Sequence, residues 1–194
     1  WGLDKTYSQD QASSASLLWR MEIRGIDVGN RWQDLADHVE GRVGEHVQPF
    51  LDLHYLYALA RAERWNKVDE MLASMVAHAA NAPAVARMAW TQVAVPAARG
   101  LAAYGRGDYE GAYESLNTAT PRLQEIGGSH AQRDLFVQTW LDTLLRTNRG
   151  GEAVEIFETR AKARPAVPYG FDLLERARPD LEHVAAAGRN IKKR

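Results

Sequence analysis

Gly107-Asp108-Tyr109-Glu110-Gly111-Ala112 interrupts two long helix-forming stretches, and Leu116 and Ala119 follow it at helical spacing. A second stretch, Asn148-Arg149-Gly150-Gly151-Glu152-Ala153, lies in the same setting and is followed by Phe157 and Pro165. In both, a turn leads to a small residue, with a large apolar residue four positions on. The small residue lets two paired helices approach closely, and the larger one fills the gap between pairs. The proline closes the unit because it cannot continue a helix. The run Gly105 to Gly111 has glycines spaced almost like a nucleotide loop, but the third falls one position late and a helix precedes it.

Working outward, helix formers dominate the 194 residues, and alternating runs of Val, Ile and Thr are nearly absent. Turn signals at Gly25–Asn30, Gly41–Gly44, Ala62–Trp65, Asn81–Pro83, Gly105–Asp108, Gly127–Gly128, Asn148–Gly151, Pro165–Pro168 and Arg178–Pro179 divide the chain. The pattern predicts helices over about 12–24, 31–41, 47–63, 66–79, 84–104, 109–125, 130–147, 151–163, 169–177 and 180–191, and no strands. Laid on one register, Leu35, Val68, Ala112 and Ala153 are equivalent, at spacings of 33, 44 and 41 residues. Trp32, Trp65 and Tyr109 put an aromatic residue in each of the first three turns. This resembles the tetratricopeptide pattern, whose unit is about 34 residues. The expected fold is all-α: a tetratricopeptide-like solenoid of antiparallel helix pairs, an α-α superhelix. Its domain spans 12–194 after an extension 1–11, with pairs at 12–41, 47–79, 84–125 and 130–163, then C-terminal helices over 169–191.

Composition removes several classes of function. With 24 basic against 25 acidic residues, the net charge of -1 lacks the basic excess of a nucleic-acid binder. The absence of cysteine excludes disulfides, thiolate zinc, iron–sulfur clusters and a cysteine nucleophile. No run approaches the length of a membrane span, and the start Trp1-Gly2-Leu3-Asp4-Lys5 is not a signal peptide, so a cytoplasmic location is expected.

Three segments carry a more particular resemblance. Gly127-Gly128-Ser129-His130-Ala131-Gln132-Arg133-Asp134-Leu135-Phe136 resembles the GGSxAQRDxF segment of the tetratricopeptide repeat protein 38 family. Gly25-Ile26-Asp27-Val28-Gly29-Asn30-Arg31-Trp32-Gln33-Asp34 is similar to its GxxVGxRWQD, and Asp52-Leu53-His54 to its DxH. Together they cover residues from about 15 to 165, and His130 departs from the Asn of vertebrate members. The resemblance implies a helical scaffold and no particular activity. It also implies that this chain corresponds to the C-terminal half of such a protein.

Ser129, His130 and Asp134 are the residue types of a hydrolase triad, and with Asp52 and His54 they define the alternative, an enzyme of hydrolase or transferase type. The spacing is not G-x-S-x-G, and no strand precedes it to form the nucleophile's sharp turn. A helix start explains the segment: Ser129 as N-cap, Gln132 as the reach-back residue of a capping box, and Asp134 at the positive end of the dipole. Arg133 is expected to fork onto a carboxylate of the preceding pair, with Asp52 as the candidate. Arg31 and Trp32 are read as structural in the same way. Among six histidines (38, 46, 54, 78, 130 and 183) no two have the spacing of a helical zinc site, so neither metal nor cofactor is expected.

The expected function is therefore non-catalytic: a scaffold for a protein or peptide partner, within a larger chain or assembly. In a solenoid the first helix of each pair lines a concave groove. That analogy places Arg20, Arg24, Tyr57, Arg61, Leu101, Tyr104, Gln138, Asp142 and Arg146 along it, and the arginines suggest an acidic peptide. Leu17, Leu18, Trp19 and Met21, without a preceding repeat to cover them, are expected to promote self-association or covering by another chain.

Overall fold

Each helix begins or ends where the sequence supplies a physical reason. The computed structural model describes residues 4–163, which are helices and turns with no strand among them. α1 (Ser8–Ile23) starts earlier than its sequence pattern suggests. Asp4 Oδ1 accepts from the Thr6 backbone N–H and hydroxyl, and the buried Gln11 donates to the Lys5 and His38 carbonyls. The extension expected over 1–11 therefore gives way, from Ser8 on, to helix. α2 (Arg31–Val39) continues into a tight turn at Glu40–Arg42. α3 (Pro49–Arg61) opens on a proline, whose missing N–H is no loss in a first turn. α4 (Trp65–Asn81) follows after a three-residue turn.

The long helix expected over 84–104 is interrupted. α5 (Ala84–Ala89) passes into a wide turn at Trp90–Ala94, and α6 (Val95–Arg106) resumes the normal pitch. Pro96 has no N–H to give the Gln92 carbonyl, and the Val95 N–H bonds to Trp90, five residues back. Gly107, at φ 80, then ends α6 in the left-handed region that glycine enters without penalty. α7 (Tyr109–Ala119) is capped by Asp108, whose carboxylate accepts from the Gly111 N–H at 3.0 Å. The helix expected to reach 125 tightens after Ala119, where Pro121 and a kink at Arg122 break the ladder. α8 (His130–Arg146) and α9 (Gly150–Ala163) complete the described chain. The helices expected at 169–177 and 180–191 lie outside the described residues.

Two compact units divide the chain, the first ending at Trp140 and the second beginning at Leu141. In the first, α3 is the centre, with eleven of its thirteen residues buried. A helix apolar all round needs neighbours on every side, and α3 packs against α1, α2, α4 and α6. Trp19 stacks flat on Tyr57 with ring centroids 3.7 Å apart, and Phe136 meets Trp19 edge-on at 5.4 Å. α6 and α7 pack tightly at Gly100, where an added Cβ would lie 2.7 Å from Leu116 Cγ. Leu35, Val68 and Ala112 are fully buried, and so, in the second unit, is Ala153. Also in that unit, Arg146 Nε donates to Asp142 Oδ2 at 2.5 Å.

Candidate functional site

The residues singled out by the sequence separate into structural devices and one unforeseen cluster. Ser129 and Gln132 form the reciprocal pair of a helix start. The Ser129 N–H donates to Gln132 Oε1 at 2.8 Å, and the Gln132 N–H to Ser129 Oγ at 3.3 Å. Arg133 turns back onto the carbonyls of Gly127 and Gly128, so the expected pairing with Asp52 does not form. Backbone oxygens freed at the helix end give the guanidinium a nearer acceptor. Asp134 accepts from Gln138 Nε2 at 2.6 Å. Arg31 donates to the Val28 carbonyl, and Trp32 is buried edge-on to Tyr57.

The proposed groove lining needs correction. Tyr57, Leu101 and Gln138 are buried and line no open surface, because α3 and α6 are enclosed where a solenoid analogy leaves one face free. Asp142 is buried as well. Arg61 makes a two-pronged pair with Glu22, at 2.8 and 3.0 Å, and Arg20 donates to the Ala131 carbonyl. Arg24 bonds to the Arg20 carbonyl, and the Tyr104 ring packs against Tyr109 and Tyr57. These arginines serve the fold's own acceptors. At the chain start Leu18 and Trp19 are buried, leaving Leu17 exposed.

Asp52 and His54 stand two residues apart and face different partners. His54 is buried among Phe50, Phe136 and Trp19 and donates from Nδ1 to the Phe50 carbonyl at 2.7 Å. Burial, helped by the Arg20 charge, holds its pKa down to about 4, so the ring is neutral at neutral pH. Asp52, also buried, turns instead to the loop before α3. Its Oδ2 lies 2.6 Å from His46 Nδ1, and His46 Nε2 lies 2.7 Å from Ser74 Oγ on α4. Burial pushes the Asp52 carboxyl up to about 6, against the opposing pull of His46.

His46 sits at φ 47, a left-handed conformation uncommon for residues other than glycine, though histidine enters it more readily than most. Around it stand His78, with ring centroids 5.0 Å away, and Trp90, at 5.8 Å and at the start of the wide turn. His78 is one helical turn beyond Ser74, and burial lowers its pKa, as does the neighbouring His46. No group of three or more histidines and carboxylates able to hold a metal occurs among the described residues.

Next to Trp90 the surface changes character. α5 reads Ala-Val-Ala-Arg-Met-Ala and buries none of its residues. Val85 is 95% exposed and Met88 51%, while Arg87 folds onto the Ala82 carbonyl. Neither feature is among the expectations from sequence. Ser74 and His46 are 28 residues apart, and no local spacing announces their meeting. α5 could have been found from its apolar composition next to Pro83 and Pro96. No family model matches the chain, and no solved structure matches it. Among the described residues, no helix is long and apolar enough to cross a membrane.

Proposed function

We propose that the chain is a tetratricopeptide-like repeat scaffold, akin to the repeat protein 38 family, that holds an apolar segment of a protein partner in the cytoplasm. The repeat reading is supported by α1, α3 and α6 packing in succession, each against the helix that follows its turn. It is also supported by the burial of the register residues Leu35, Val68, Ala112 and Ala153. The partner-binding reading rests on α5. A helix of mostly apolar residues with none buried presents Val85 and Met88 to water; covering Val85 contributes up to about 1.5–3 kcal/mol, and covering the half-exposed Met88 correspondingly less. A docking surface explains this better than the arginine groove, whose residues are committed within the fold.

The test is to replace Val85 and Met88 together by Asp and compare partner capture by co-purification and mass spectrometry. The expected result is loss of the specific partner with an unchanged thermal melt, because neither side chain supports the core. Retention of the same partner by the double variant would overturn the proposal.

A further inference from the structure

We propose that Ser74, His46 and Asp52 form a nucleophile, a general base and its orienting acid, and that this centre cleaves small carboxylic esters with an apolar acyl group. This goes beyond the scaffold reading and stands on different residues.

Three observations carry it. The first is the continuous array, Ser74 Oγ to His46 Nε2 at 2.7 Å and His46 Nδ1 to Asp52 Oδ2 at 2.6 Å. Both nitrogens of one ring are engaged, in the order that lets Nε2 take a hydroxyl proton while the carboxylate holds the tautomer. The second is the direction of the hydroxyl. Helical Ser and Thr side chains commonly either point to solvent or bond back to the carbonyl four residues earlier. Ser14, Thr91, Thr118, Thr120, Thr139 and Thr147 all bond back here, whereas Ser74 is turned to the imidazole. The third is the backbone: His46 sits at φ 47, in the sparsely populated left-handed region, in the turn that carries its ring between Asp52 and Ser74.

The surroundings suit a small ester. Ser74 is only half-buried, and Gly44 beside it has no side chain, so even an added Cβ would come only to 3.9 Å from the hydroxyl. The exposed Val47, next to His46 in the chain, supplies apolar surface for the acyl group, and the buried Trp90 packs edge-on behind the His46 ring. His78, one turn further along α4, holds its ring centroid 5.0 Å from that of His46 and so belongs to the same cluster.

In the reaction, Ser74 Oγ bonds to the carbonyl carbon as its proton passes to His46 Nε2. The carbon–oxygen bond to the alcohol then breaks, and the leaving oxygen takes that proton. Water attacks the acyl-serine by the same route, giving its proton to His46. The released carboxylic acid and the restored Ser74 hydroxyl balance the cycle, with water the sole co-reactant.

The experiment treats the full chain with a fluorophosphonate probe, maps the adduct by mass spectrometry, and follows p-nitrophenyl acetate cleavage in parallel. The expected result is one adduct on Ser74, absent in Ser74→Ala, together with ester cleavage that Ser74→Ala abolishes. His46→Gln should slow labelling at least ~100-fold, the scale of general-base assistance, and Asp52→Asn serves the same comparison should the glutamine variant fail to fold by circular dichroism. No adduct at Ser74 in the wild type, or an adduct forming equally fast in a folded His46 or Asp52 variant, would overturn the proposal.

Discussion

Two buried groups of α3 make stability depend on pH in opposite directions. His54 has a folded pKa of about 4 against an ordinary 6.5. Its contribution is complete above 6.5 and is lost as pH falls toward 4, because the unfolded chain takes up the proton first. At 1.36 kcal/mol per unit, the loss is about 2–3 kcal/mol by pH 4.5. Asp52, raised to about 6 from 3.8, contributes stability that is complete below 3.8 and lost as pH rises through 6. His54→Phe should therefore lose less stability than the wild type between pH 7 and 4.5 in urea titrations. Parallel curves for the two proteins would contradict this account of the buried ring.

The same carboxyl governs the proposed ester centre. Asp52 is faced by His46 and Glu45 from the preceding loop and is coupled to Tyr55 on its own helix. When Asp52 is ionised, His46 Nδ1–H donates to it and Nε2 can accept from Ser74. Fluorophosphonate labelling should accordingly rise with pH through about 6 and level off; a rate that falls over that interval would be inconsistent with the assigned roles. Sequence pattern could place Asp52 and His54 on a helix. It could not pair Asp52 with His46, because that contact depends on where the loop folds over, not on a helical spacing.

At the scale of elements, the Gly-Asp-Tyr turn was legible because its chemistry is local: Asp108 caps α7 and Gly107 ends α6. The burial of Ala112 and Leu116 follows from the same few residues. Gly100 escaped notice because its partner, Leu116, lies on the other side of that turn. Gly100→Ala should cost about 1–3 kcal/mol, since the new methyl would meet Leu116 Cγ at 2.7 Å and its backbone nitrogen at 3.1 Å. Alanine's helix propensity would favour the variant by up to ~1 kcal/mol, so a gain in melting temperature would show that α6 and α7 are not in close register. Asp108→Ala should cost about 1 kcal/mol through loss of the cap, read as a lower urea midpoint at constant slope. Pro96 and Pro121 limited the sequence reading in another way. A proline at a predicted helix position signals disturbance but not its form, and here one gave a wide turn and the other a tight one.

For the molecule as a whole, helical content and the main turns were readable from composition and spacing. The surface was not. Assigning Tyr57, Leu101 and Gln138 to a groove assumed that first helices keep one face open, yet α3 is buried nearly all round. Burial of this kind depends on which helices close over one another, information spread across the whole chain. α5 shows the reverse, with apolar residues left outside. The most direct measurement installs a photo-crosslinking amino acid at Met88, with the exposed Glu114 on α7 as the control position. Irradiation in cells should join a protein partner to position 88 and not to 114, and the adduct should disappear when Val85 is replaced by Asp. Equal crosslinking at both positions, or none at 88, would contradict the assignment of α5 as the docking face.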